Sequence, residues 1–175
     1  QQNDIPADLT VEKLVMYGRM PHNSLFKKKT NEDEEAVTWA LQCTNLLGKR
    51  HNDLSALSGG ERQRVWIAMA LAQQSEILCL DEPTTYLDMA HQPEVLEIVQ
   101  QLNKNFGCTI IMVLHDLNHA ARFSDELIVM RKGKVLHTGT PVQIMTTEVL
   151  KEVFQIDAKI IVDTEHQVPV CFSYN

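Results

Sequence analysis

Two apolar runs of strand length, Ile77-Leu78-Cys79-Leu80 and Ile110-Ile111-Met112-Val113-Leu114, flank a stretch in which Val95, Ile98, Val99 and Leu102 recur at helical spacing. Strand, amphipathic helix, strand is the pattern of a crossover unit, and it commits this part of the chain to a parallel sheet. The first run leads into Asp81-Glu82. Carboxylates at the carboxyl end of such a strand stand where open α/β sheets bind ligands. Neighbouring strand residues point to opposite faces, so the two acids take different tasks. One can hold a water on Mg²⁺, which keeps several waters in its shell; the other can orient or deprotonate an attacking water. Taken alone, the same residues also describe a strand ending in solvated acids before a turn at Pro83. His115 closes the second run, where a histidine can donate a hydrogen bond to a phosphate or position a water.

The region before this unit is helical in pattern. Thr10 caps a short helix carrying Val11, Leu14 and Val15, with Gly18 at its end. A second helix begins near Thr30 or Asn31, shows Val37, Ala40, Leu41, Thr44 and Leu47 on one face, and ends at Gly48. A third runs from Gly59 to Gln73, ahead of a buried strand at Glu76 to Leu80. Downstream, a short helix spans Asp116 to Phe123. Leu127–Met130 and Lys134–His137 flank Lys132-Gly133 as a hairpin. Two short helices follow near Val142 and Thr147, and Lys159 to Tyr174 alternates as short strands do.

Composition narrows the function. The formal charge is −7, with 16 basic against 23 acidic residues, and nucleic-acid binders usually carry a basic face. The basic cluster Lys27-Lys28-Lys29 runs straight into Glu32-Asp33-Glu34-Glu35, a solvated loop opening a helix. No nucleic-acid partner is expected. The apolar runs fall far short of the roughly 20 residues of a membrane span, so membrane association is expected through a partner. The four cysteines form no C-x-x-C pair, and Cys79 and Cys108 sit inside strand-like runs as buried thiols. His115 and His119 lack the glutamate of an H-E-x-x-H zinc site. No signal peptide is visible, and the first methionine is Met16, which suggests a piece of a longer protein.

Ser58-Gly59-Gly60 opens the third helix. Its first N–H groups are unpaired, its glycines allow close backbone approach, and the helix dipole favours an anion. An ordinary serine N-cap fits the three residues equally well. No G-x-x-x-x-G-K phosphate loop accompanies them: Gly48-Lys49 and Gly133-Lys134 lack the upstream glycine and the following Ser or Thr.

The order is what discriminates: Leu57-Ser58-Gly59-Gly60-Glu61-Arg62-Gln63, a helix, Ile77 to Glu82, Thr84-Thr85-Tyr86-Leu87-Asp88, then His115. Over essentially its whole length the chain resembles the nucleotide-binding subunit of ATP-binding-cassette (ABC) transporters. The heptapeptide matches the family signature, Ile77 to Glu82 the Walker B strand, Thr84 to Asp88 the D-loop, His115 the switch histidine. Gln1 aligns with the Q-loop glutamine. The resemblance implies an α/β fold, part of an ABC-type phosphate-loop ATPase. It would comprise a Q-loop and helical subdomain at 1–75, the C-terminal half of the core at 76–158, and C-terminal strands at 159–175. It implies ATP and Mg²⁺ as ligands, with Glu82, His115 and Gln1 catalytic and Asp81 and Gln1 at the metal. Ser58, Gly59, Gly60, Glu61, Gln63 and Asp88 would contact nucleotide. In this family the signature of one subunit closes over ATP held by the phosphate loop of the other. A second copy is thus one implied partner and a membrane permease another, at the cytoplasmic face. The chain's own phosphate loop would lie upstream of Gln1, and this stretch alone would not hydrolyse ATP.

Tyr17-Gly18-Arg19-Met20-Pro21-His22, the segment Thr84 to Gln92 and Pro169-Val170-Cys171-Phe172 resemble the ferric-siderophore, haem and cobalamin importers, with siderophore the first choice. Pro93 requires the helix after Asp88 to start late, near His91 or Gln92. A soluble ABC ATPase of the translation or DNA-repair kind would show paired cassettes, coiled coils or basic faces, none of which is seen here. A non-catalytic docking fragment is the remaining alternative. The family's central strand precedes the phosphate loop, between the strand ending at His115 and the one around Leu127–Met130. Without it those two strands are expected not to ladder with each other.

Overall fold

The computed structural model describes residues 9–22 and 30–174. Gln1 and Lys27-Lys28-Lys29 lie outside the described residues. Two compact units are present, Gln1–Val113 and Leu114–Asn175.

In the first unit, helix α1 (Val11–Tyr17) is capped by the Thr10 hydroxyl, which accepts the Lys13 N–H, and it ends at Gly18. Gly18 is obligatory for packing: a Cβ there would stand 2.0 Å from the Met69 carbonyl oxygen. Helix α2 (Asn31–Cys43) starts on a full capping box, Thr30 with Asp33. It stops before Gly48 because Asn45 turns left-handed at φ 56. That register shift buries Leu46 completely and leaves Leu47 41% exposed, the reverse of the expected face. Helix α3 (Gly59–Leu71) starts on a second capping box, Ser58 with Glu61. Val11, Val15, Val37, Ala40, Leu41, Val65 and Ala68 share one core, each fully buried. Each large apolar side chain in it contributes about 1.5–3 kcal/mol.

Strand β1 (Ile77–Asp81), helix α4 (His91–Phe106) and strand β2 (Thr109–Val113) form the crossover unit. The strands pair in parallel, Leu78 beside Ile110 and Asp81 beside Val113. Helix α4 starts at His91, so Pro93 falls in the first turn, where its missing N–H has no intrahelical partner to lose. Gly107 at φ 67 ends the helix. The expectation of a strand buried on both faces does not hold. Leu78, Leu80, Ile110 and Met112 pack against the helical core. On the opposite face Ile77 and Ile111 are each 55% exposed, and Cys79, expected as a buried thiol, is exposed with them. The pleat alternates, and helices cover one side of this two-stranded sheet.

The second unit holds α5 (Leu117–Phe123), the hairpin β3 (Leu127–Arg131) and β4 (Lys134–Gly139), α6 (Pro141–Ile144), α7 (Thr147–Phe154), and the antiparallel pair β5 (Ala158–Asp163) and β6 (Val168–Tyr174). Lys132 and Gly133 both have positive φ, as a two-residue primed turn requires. Asn118 closes β6 by accepting the Cys171 N–H at 2.7 Å and donating to its carbonyl at 3.2 Å. Among the described residues β1 and β2 form one two-stranded sheet, β3 and β4 another, and β5 and β6 a third.

Candidate functional site

The signature heptapeptide sits at the start of α3. The Ser58 N–H donates to Glu61 Oε2 at 2.9 Å, and the Glu61 N–H returns to Ser58 Oγ at 3.3 Å. The Arg62 N–H closes the first helical bond on the Ser58 carbonyl. The Gly59 and Gly60 N–H groups belong to the first turn, where no carbonyl lies one turn back within the helix. Gly59 is exposed, with open space where a Cβ would be. Gly60 is buried, and a Cβ there would come within 3.3 Å of the His91 ring and Cβ. The two glycines therefore differ in role: one leaves the helix end open, the other lets α4 approach it.

That approach is fastened by an ion pair from Arg64 to Glu94 at 2.9 Å. It brings the loop 82–90 and the signature onto one pair of helix ends. The sequence marked His91 only as a helix start and did not mark Glu94; their signal is positional, at the first residue and in the first turn of α4.

Asp81 ends β1, exposed. Glu82 leaves the strand with a left-handed φ of 49, and the Thr85 hydroxyl donates to its Oε2 at 3.0 Å. The Thr85 N–H also returns to the Glu82 carbonyl at 3.1 Å. Tyr86, left-handed at φ 66, is 92% exposed, and Met89 is 88% exposed. Asp88 is exposed, and its carbonyl accepts the His91 and Gln92 N–H groups. Gln63 is half-buried on α3. His115 is exposed at the start of the second unit, next to Asp116, whose carboxylate caps α5. Gln1 lies outside the described residues.

Lys49 donates to the Glu61 carboxylate. That bond, with the Ser58 N–H second, holds the Glu61 carboxyl down at about 2. The acid is a full charge at neutral pH.

No cluster of three or more metal-ligating side chains occurs among the described residues. The exposed carboxylate of Asp81 suits an ion of the Mg²⁺ type, which is held by one or two carboxylates together with substrate phosphates. Among the described residues no helix is long and apolar enough to cross a membrane.

Residues 2–85 match the family model described as ABC transporter. The iron(3+)-hydroxamate import ATP-binding protein FhuC of Bacillus subtilis is 53% identical over 175 residues, which is 100% of this chain. The chain spans 65% of that relative's length, just under two thirds. The petrobactin import ATP-binding protein YclP of Bacillus subtilis is 34% identical over 99% of the chain and 68% of its own length. Among solved structures, an inward-facing metal-chelate type ABC transporter superposes with a TM-score of 0.85 at 27% identity, over 97% of this chain and 68% of that one.

Proposed function

The chain belongs to the ABC transporter family, and on that premise we propose that it is the signature-bearing part of an ATP-hydrolysing subunit that powers import of an iron–siderophore complex. The observation that carries the reading is the open end of α3. Its capping box engages Ser58 and Glu61 with each other and leaves the Gly59 and Gly60 N–H groups at the helix mouth. A helix N-terminus of this kind accepts phosphate, and the nucleotide it takes is the one held by a second copy of the subunit.

Glu82 is the base that orients and deprotonates the attacking water, a contribution of about 10²–10⁴-fold in general acid–base catalysis. Thr85 fixes its carboxylate. Asp81 would hold Mg²⁺, which would supply charge neutralisation on the phosphates. His115 donates to the terminal phosphate. Asp88 and Gln63 contact nucleotide across the dimer, and Gln1 completes the water and metal contacts. The functional parts follow the sequence boundaries: helical subdomain at 1–75, ATPase core at 76–158, terminal strands at 159–175. The subunit lies peripherally at the cytoplasmic face, against a membrane permease.

Substrate choice rests on the relatives, which are named for import of iron(3+)-hydroxamate and petrobactin. Cells lacking the gene, complemented with wild type or Glu82→Gln, test it by uptake of iron-55 ferric hydroxamate. Wild type restores uptake and Glu82→Gln does not. Restoration of haem or cobalamin uptake without ferric hydroxamate uptake would overturn the substrate assignment.

A further inference from the structure

The capping box that opens α3 carries an electrostatic conflict. A carboxylate in the first turn stabilises the helix through the dipole. Yet Glu61 places its negative charge beside the N–H groups that, on the reading above, receive the nucleotide's phosphates. Two anions then compete for one helix end. Protonation does not relieve the conflict, because Glu61 stays ionised at neutral pH.

Lys49 lies outside the signature, at the end of the one-turn 3-10 helix Leu47–Lys49 between α2 and α3. Its ammonium meets Glu61 Oε1 while Oε2 takes the Ser58 N–H. The carboxylate is thereby divided between helix cap and cation. The Lys49 side chain is 44% exposed, against 18% for Glu61, so the cation is the more open member of the pair. The backbone fixes where it starts: the Lys49 N–H bonds the Leu46 carbonyl at 2.9 Å, and its carbonyl accepts the Asn52 N–H at 3.0 Å.

We propose that Lys49 is a positioning residue for the nucleotide reaction: it neutralises Glu61 and so admits the phosphates of the partner's ATP to the N-terminus of α3. The inference rests on the function proposed above and adds a residue to its machinery.

The experiment uses the natural gene product that carries this sequence, assayed for MgATP hydrolysis. Lys49→Met keeps an apolar stem and removes the charge. It should raise KM for MgATP about three- to tenfold, the size of one like charge about 4 Å away in bulk water. The kcat should change by less than about twofold, and the deficit should shrink as salt is raised. Glu61→Gln keeps a capping-box acceptor, since Gln serves at that position, but removes the negative charge. In that background Lys49→Met should cost less than about twofold in KM. Lys49→Arg should retain most of the wild-type KM. A Lys49→Met deficit that persists undiminished in the Glu61→Gln background, or a wild-type KM in Lys49→Met, would overturn the proposal. A loss of thermal midpoint that accounts for the KM change would also overturn it, since that marks a purely structural bond. Absence of MgATP hydrolysis in the wild-type gene product would instead reject the function from which the inference starts.

Discussion

Glu82, the proposed base, has its backbone held in a conformation that L-residues rarely adopt, at φ 49. The Thr85 hydroxyl bonds its carboxylate at 3.0 Å, so the turn after β1 both directs and orients the base. In the natural gene product, Glu82→Gln should retain nucleotide binding and abolish turnover, because the amide cannot accept a proton; near-wild-type kcat would move the base elsewhere. Thr85→Val should lower kcat about tenfold with little effect on KM, as expected of a group that positions a base. A KM change with kcat intact would contradict that. Glu61 supplies a pH prediction. Its folded-state value, about 2, lies below the ordinary 4.5. Its stabilisation is therefore fully present above about pH 4.5 and is lost as pH falls towards 2. Carboxyl-resolved NMR should find Glu61 titrating near 2 in the wild type and nearer the ordinary value in Lys49→Met. An ordinary value in both would deny the ion pair. The residues of this site were legible as types in order. The turn that aims Glu82 was not, because a left-handed glutamate has no signature in the chain.

At the scale of elements, α1, α2 and α3 are joined by one buried ion pair. Arg19 Nε donates to Asp33 Oδ1 at 2.9 Å, and its Nη1 donates to the Ala72 carbonyl at 2.8 Å. Arg19 is 5% exposed and Asp33 2%. Asp33 is also the capping-box acid of α2, taking the Thr30 N–H at 3.0 Å. One carboxylate thus starts a helix and anchors the arginine that holds the end of another. Arg19→Met should cost about 3–5 kcal/mol, the usual penalty for removing one member of a buried ion pair. Arg19→Met with Asp33→Asn should recover part of that loss; chemical denaturation measures both. Gly18→Ala should destabilise by about 1–3 kcal/mol or more, since its methyl meets a backbone carbonyl that cannot move aside cheaply. Caps and helix starts were readable locally, at Thr10, Thr30, Ser58 and Asp116, because a cap is a bond between residues three apart. The Arg19–Asp33 pair joins separate elements and left no local trace. The end of α2 was misplaced because Asn45, rather than Gly48, takes the left-handed turn.

For the whole molecule, the crossover unit was legible from periodicity, while its half-covered sheet was not. An apolar run looks the same whether one face or both are packed. On the open face, Ile77, Ile111 and Val113 are each more than half exposed, and among the described residues each sheet has two strands. Two-stranded sheets are marginal without further cover. The 175-residue stretch expressed alone should bind a hydrophobic dye and self-associate; a dye-silent monomer by light scattering would contradict that. The central claim is that the helix end at Ser58 receives a nucleotide held by another copy of the subunit. The most direct measurement compares the natural gene product carrying Glu82→Gln with the same protein carrying Ser58→Arg as well. Mass is followed by light scattering with MgATP, and ATP affinity is measured on the monomer. The expected result is an MgATP-dependent dimer for the first and a monomer for the second, with monomer ATP affinity equal within about twofold. A tenfold loss of monomer ATP affinity on Ser58→Arg, or a dimer undiminished by it, would contradict the claim.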